Sequence, residues 1–422
     1  MEKSIICKNG VPVHTYKNDS LHSFHISLFI KAGSMYEKNG ECGITHFFEH
    51  AAIRNVNKLM GDSLYTELDR RALEFNASTY SEMVQFYTGG ACESFEFCAS
   101  LITKIFEPIV LERAGVDAER RRIKAEIRES DDKSSLTSLA SSTVHEGTSL
   151  ASSILGTLAT VDKITAKRLE EYRRRITTKD NCFFYVTGSF TDGDIEYLKK
   201  EIERYTLFDG EAHGNVAPVS AGFFKRSPDL KIKSSDSCSV RFTFDVDGSR
   251  VSVPVCDLLY DILFNGYGSP LFVKLSEEEG LFYDITPSSE RYKNIGNLAF
   301  SFEVKEKDIY RAVELAAEIL SRFKSTTLDE CDLMKSGYVK NAPILLDDAR
   351  ELAFTFAYDN YVMDLGYSSV DERAARYDAV SAEDIRAGAC EIFKLSNLTL
   401  TVKGHKNKIS ADTLLSILKN KL

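Results

Sequence analysis

Three side chains in the segment Cys42–Asn57 have the types and spacing to hold a metal ion and move a proton: His46, Glu49 and His50. At about 100° per residue on a helix they fall within an arc of about 100°. Two imidazoles one turn apart can grip one ion, and the carboxylate beside them can reach a water bound to it. Zinc suits such a set, because it accepts nitrogen and oxygen ligands and keeps an open position when catalytic. A third protein ligand is needed, and the helix-like stretch VDAERRRIKAEIRES (Val116–Ser130) offers two. With Glu119 set to zero, Val116, Ile123, Glu126 and Ile127 fall between about −20° and 80°, so both glutamates lie in the apolar stripe. Carboxylates facing a core need a partner, and a metal with its histidines would be one. Spacing alone does not choose between Glu119 and Glu126.

Positioning these groups takes helices anchored on a sheet, and the chain spells that arrangement twice. SFHISLFIKAGS, ending at Ser34, and VRFTFDVDGS, ending at Ser249, both read as strands running into a Gly-Ser turn. Helix-like stretches follow each: GITHFFEHAAIRNV in the first half, VPVCDLLYDILF in the second. Then come GDSLYTEL and GSPLFVKL, and near each end KITAKRLEEYRRRITTKDNCFFYVTGSF and AVSAEDIRAGACEIFKLSNLTLTVKGHK. From Gly33 to Gly188 is 155 residues and from Gly248 to Gly404 is 156. The expectation is a duplicated α+β fold, each copy a sheet covered by helices on one face. A domain at 1–207, a small-residue linker at 208–222 and a homologous domain at 223–422 follow from it. The second helix, Val253–Phe264, has no histidine, only Asp257 and Asp261, so one zinc per chain is expected.

Composition narrows the function classes. A chain of 422 residues suits two domains. The net charge of −10 argues against nucleic acid, whose phosphates demand clustered cations. No run approaches the roughly 18 apolar residues of a membrane helix. Nine cysteines without a CxxC pair, and a start lacking a signal-peptide pattern, fit a cytoplasmic protein.

The first half resembles the pitrilysin family of inverted zincins, for which H-x-x-E-H is the signature. In that family the third ligand is a glutamate about 76 residues beyond the second histidine, preceded by another glutamate seven residues earlier. Here 126 − 50 = 76 and 126 − 119 = 7. The resemblance therefore implies two homologous domains, each a mainly antiparallel sheet covered by helices. It assigns His46, His50 and Glu126 to Zn2+, Glu49 as general base, and Glu119 as a carboxylate that orients the site. The implied activity is hydrolysis of peptide bonds in peptides or unfolded segments. The alternative is a non-catalytic peptide-binding or assembly subunit.

The same resemblance locates substrate. EFNASTYSEMVQFY alternates like a strand and matches the family's Asn-Ala-x-Thr at Asn76, Ala77 and Thr79, where substrate adds as a further strand. LSEEEGLFY matches a block whose arginine and tyrosine hold substrate or oxyanion. Tyr283 agrees, but Ser276 stands at the arginine, and Arg291 is a conceivable surrogate. A dimer is implied, and a related chain supplying the Arg/Tyr pair would make it a heterodimer.

Overall fold

The computed structural model describes residues 1–130, 136–208, 229–234, 238–264, 268–325, 329–405 and 407–422. In the first half the strands are β1 (Glu2–Ile6), β2 (Pro12–Lys17), β3 (Ser23–Ile30), β4 (Glu74–Thr79), β5 (Val84–Ala91) and β6 (Cys182–Gly188). Its longer helices are α1 (Ile44–Leu59), α2 (Leu64–Arg71), α3 (Phe95–Ile102), α4 (Arg113–Ser130), α5 (Leu136–Val144), α6 (Ala166–Ile176) and α7 (Asp192–Glu203). The second half supplies β7 (Asp229–Ser234), β8 (Ser239–Asp247), β9 (Thr286–Arg291), β10 (Ile295–Glu303) and β11 (Leu398–Gly404). With them come α8 (Val253–Phe264), α9 (Ile309–Arg322), α10 (Asp329–Asn341), α11 (Ala349–Ala357), α12 (Val370–Asp378), α13 (Ala382–Ile392) and α14 (Ala411–Lys421).

The two sheets repeat one topology. The first runs β1-β2-β6-β3-β5-β4 and the second β7-β11-β8-β10-β9. Apart from β1, the senses agree strand for strand: one parallel pair, then three antiparallel pairs. Each sheet is therefore mainly antiparallel, as the family resemblance implies. Even the caps repeat: Thr165 opens α6 and Ser381 opens α13, each side chain accepting from the backbone three residues on.

Strand periodicity sets the layers. On β3, Phe24, Ile26, Leu28 and Ile30 join one core with Phe47 and Phe48 of α1, Cys98 and Leu101 of α3, and Leu169 of α6. On β8, Val240, Phe242, Phe244 and Val246 do the same with Leu259 of α8, Val313 of α9 and Ile385 of α13. A fully buried side chain of this size contributes about 1.5–3 kcal/mol, so the aromatic pair of α1 is a strong anchor for the helix.

One expectation is corrected. The opposite faces are covered too, each by a helix that the other half of the sequence provides. The two compact units comprise 1–130, 152–216 and 343–370, and 131–151, 217–342 and 371–422. They differ from a linear division at 208–222, a linker that from residue 209 lies outside the described residues. In the first unit α11 packs on β3 and β6, where Thr187 donates to the Ala349 carbonyl at 2.5 Å and Phe356 meets Tyr16 edge-on at 5.3 Å. In the second unit α5 packs on β8 and β11. In the first sheet Phe29, Phe183 and Tyr185 turn to this second face and must be buried, and the local pattern of β3 does not say which helix will do it.

Candidate metal centre

The start of α1 is set from a distance. Gly43 has φ +86°, and a Cβ there would stand 2.7 Å from the Gly156 Cα, so only glycine fits this turn. No Ser, Thr, Asp or Asn caps the helix. Instead Glu37 accepts hydrogen bonds from the amides of Gly43 and Thr45, both at 2.9 Å. A carboxylate suits the exposed amides and positive end of a helix N-terminus.

From there α1 buries Ile44, Phe47, Phe48, Ala51 and Ala52. His46, Glu49 and His50 ride on the flank of that stripe, turned towards α4 and β4. His46 Nε2 lies 3.0 Å from Glu126 Oε2, and His50 Nε2 lies 3.5 Å from the same oxygen. Donor atoms of His46, His50 and Glu126 all fall within 4.8 Å of one another. On a tetrahedral zinc with bonds of about 2.0–2.2 Å, ligand atoms stand about 3.3–3.5 Å apart. The donor set and its spacing therefore fit such a cation. Among the described residues this is the one group of three or more His, Cys, Asp or Glu side chains so gathered.

Each imidazole has a carboxylate at its other nitrogen. His50 Nδ1 lies 3.1 Å from Glu119 Oε2, and His46 Nδ1 lies 3.4 Å from Glu49 Oε2. Such partners fix ring orientation and the nitrogen that faces a metal. Glu119 is buried and bonded by Arg54 Nε. Burial acts to raise its carboxyl, but His50 and Arg54 outweigh it and hold Glu119 below the usual carboxylate range. Glu49 is likewise buried, yet His46 and a 2.5 Å hydrogen bond donated by Thr79 keep it low and ionised. For His46, burial would lower the value, and the adjacent Glu49 and Glu126 more than reverse it.

His46, Glu49, His50, Thr79, Glu119 and Glu126 thus converge from α1, β4 and α4. Thr79, expected among the substrate-binding residues, ends β4 and donates its hydroxyl to Glu49. Asn76 and Ala77 lie on β4, the end of the sheet order, and among the described residues no strand pairs with its outer edge. Asn76 Oδ1 accepts from the Ala77 amide at 2.9 Å. Tyr283 and Ser276 belong to the second unit, where Tyr283 is 95% exposed. Ser276 donates to the Phe282 carbonyl at 2.9 Å, and Arg291 pairs with Asp257 at 3.1 Å. Sequence reasoning missed Arg54 and Glu37. Arg54 carried a signal: four residues after His50, it shares that face of the helix.

Family models match most of the chain. Residues 13–158 match the model described as Insulinase (Peptidase family M16), and 163–337 match Peptidase M16 inactive domain. An uncharacterized zinc protease of Bacillus subtilis is 22% identical over 93% of this chain and 96% of its own length. Rat mitochondrial-processing peptidase subunit beta is 26% identical over 40% of this chain and 35% of its own. A protease from Helicobacter pylori has the same fold, with TM-score 0.82 at 18% identity over 96% of this chain and 99% of that one. The chain belongs to peptidase family M16, the insulinase or pitrilysin family.

Proposed function

We propose that this protein is a zinc-dependent endopeptidase acting on peptides or unfolded polypeptide segments, with one zinc on His46, His50 and Glu126. The observation that carries this reading is the convergence of those three donors within 4.8 Å, with an ionised Glu49 one turn after His46 and adjacent to His50. Bound there, zinc would bring the pKa of a water towards 7 and polarise a scissile carbonyl. Glu49 takes the proton from the attacking water and delivers it to the leaving amine. Thr79 and His46 hold one carboxylate oxygen, so the base keeps a single orientation. Glu119 holds His50. The outer edge of β4 offers main-chain groups to which a substrate strand adds, giving affinity that reads little sequence.

A second reading is supported by Ser276, which stands where relatives' tyrosine-containing block has an arginine. On that reading the chain works beside a related chain that contributes the Arg/Tyr pair, because a neutral hydroxyl cannot replace a bidentate guanidinium. Tyr283 then completes the pair only in a form carrying an arginine at 276. The test is zinc content and cleavage of an unstructured peptide library by the isolated protein, its Glu49→Gln variant and its Ser276→Arg variant. Zinc-dependent cleavage, lost in Glu49→Gln by about 10²–10⁴-fold with metal retained, supports the endopeptidase. Cleavage that survives in Glu49→Gln overturns it. Cleavage appearing only with Ser276→Arg or with an added paralogue favours the two-chain form.

A further inference from the structure

Arg54 stands one helical turn beyond His50 on α1 and reaches across to α4. Its Nε donates to Glu119 Oε1, while Glu119 Oε2 lies 3.1 Å from His50 Nδ1. Guanidinium, carboxylate and imidazole therefore form one chain that ends at a candidate metal ligand. The carboxylate at its middle is 2% exposed. A charge taken so far out of water needs a partner of opposite sign held at hydrogen-bond distance. Two cations are in reach. Arg122 is 3.5 Å from Oε2 and its side chain is 62% exposed, so solvent screens most of what it offers. Arg54 is the less exposed of the two and engages the oxygen that His50 does not.

We propose that Arg54 is a positioning residue of the metal centre: by fixing Glu119 it fixes the His50 ring, so that Nε2 faces Glu126 before a cation arrives. The proposal rests on the zinc reading above and adds the group that preorganises it. An arginine serves here because its charge is permanent and its planar donors have a fixed geometry, which a lysine shares only in part. The competing account is an ordinary ion pair tying α1 to α4. That account makes no link to His50 or to metal.

The experiment is zinc affinity, measured by competition with a chromogenic chelator, on the full chain and on Arg54→Leu, Arg54→Lys, Glu119→Gln, His50→Ala and the Arg54→Leu/Glu119→Gln pair. Thermal melting of each protein is followed alongside. Arg54→Leu should bind zinc about 10–100-fold more weakly, the range typical for groups that orient a metal ligand. Arg54→Lys should recover part of the loss. In the Glu119→Gln background, Arg54→Leu should change affinity by less than about twofold, because the link it acts through is already broken. A melting point lowered without any change in zinc affinity overturns the proposal, as does a loss that simply adds to that of Glu119→Gln. If His50→Ala itself keeps full zinc affinity, the zinc reading fails. If only Arg54→Leu does, the zinc reading stands and the positioning role falls.

Discussion

The helix α1 of the first half and the helix α8 of the second are the same element with different side chains. The stripe Ile44, Phe47, Phe48, Ala51, Ala52 of α1 has the spacing of Val255, Leu258, Leu259, Ile262, Leu263 in α8, each pair 211 residues apart. In that register Asp257 occupies the position of His46, Tyr260 that of Glu49 and Asp261 that of His50. The hairpins correspond as well: Tyr80 N bonds Met83 O at 2.8 Å, and Tyr292 N bonds Ile295 O at 2.7 Å. That correspondence sets Arg291 at the place of Thr79. Both residues reach the neighbouring helix, Thr79 to Glu49 and Arg291 to Asp257. Asp257 also accepts from Tyr377 at 2.6 Å, and Tyr377 stacks on Tyr338 with centroids 4.3 Å apart. The second half thus answers its carboxylate with a guanidinium and a phenol, where the first half assembles two imidazoles and a glutamate. One scaffold gathers a set of candidate metal ligands or an internal ion pair, and the side chains at two or three positions decide which.

The sharpest way to break this comparison is to delete equivalent residues. His50→Ala should remove most of the zinc measured by elemental analysis, whereas Asp261→Ala should leave one zinc per chain. Loss of metal from the second variant would mean that the halves are not so divided.

The sheet faces turned away from α1 and α8 also differ, and acid should expose this. In the first unit His14 is buried, stacked on Tyr361 at 3.7 Å between ring centroids. Burial, with Lys31 adding to it, lowers its pKa from 6.5 to about 4. The folded state therefore resists a proton that the unfolded chain accepts, so stability is whole above pH 6.5 and drains as pH falls towards 4. The loss should be on the order of 3 kcal/mol, and urea unfolding of wild type and His14→Phe across that window reads it. Equal acid sensitivity in the variant would refute the assignment. In the second unit the corresponding face is polar, with Arg241, Thr243, Thr399 and Thr401 buried.

Asp257→Ala removes the acceptor shared by Arg291 and Tyr377. It should cost about 1–3 kcal/mol of stability and leave zinc content alone. A variant as stable as wild type would show that the ion pair is incidental to the second fold. The smallest expected effect is at Thr79. Thr79→Val should lower kcat about tenfold, the cost of one hydrogen bond to a charged group, with zinc content and KM unchanged. Thr79→Ser should restore it. A rise in KM instead would return Thr79 to the substrate side.

The sequence by itself determined the local parts of this protein. Helical and strand periodicity and the His46–Glu49–His50 order are properties of short segments and legible without coordinates, whereas the choice of Glu126 over Glu119 came only from the resemblance to a known family. The duplication was legible for the same reason, since both copies keep their turns and caps in order. Tertiary structure alone decided which partners meet. Glu119 finds Arg54 across 65 residues and Glu49 finds Thr79 across 30; the helix spacing puts Arg54 on the face of His50, but it does not name the carboxylate that meets it. The helix that covers the second face of each sheet was equally hidden. An apolar stripe states that a face must be buried, but packing of the whole chain selects the surface that buries it, and here the choice crosses from one half of the sequence to the other.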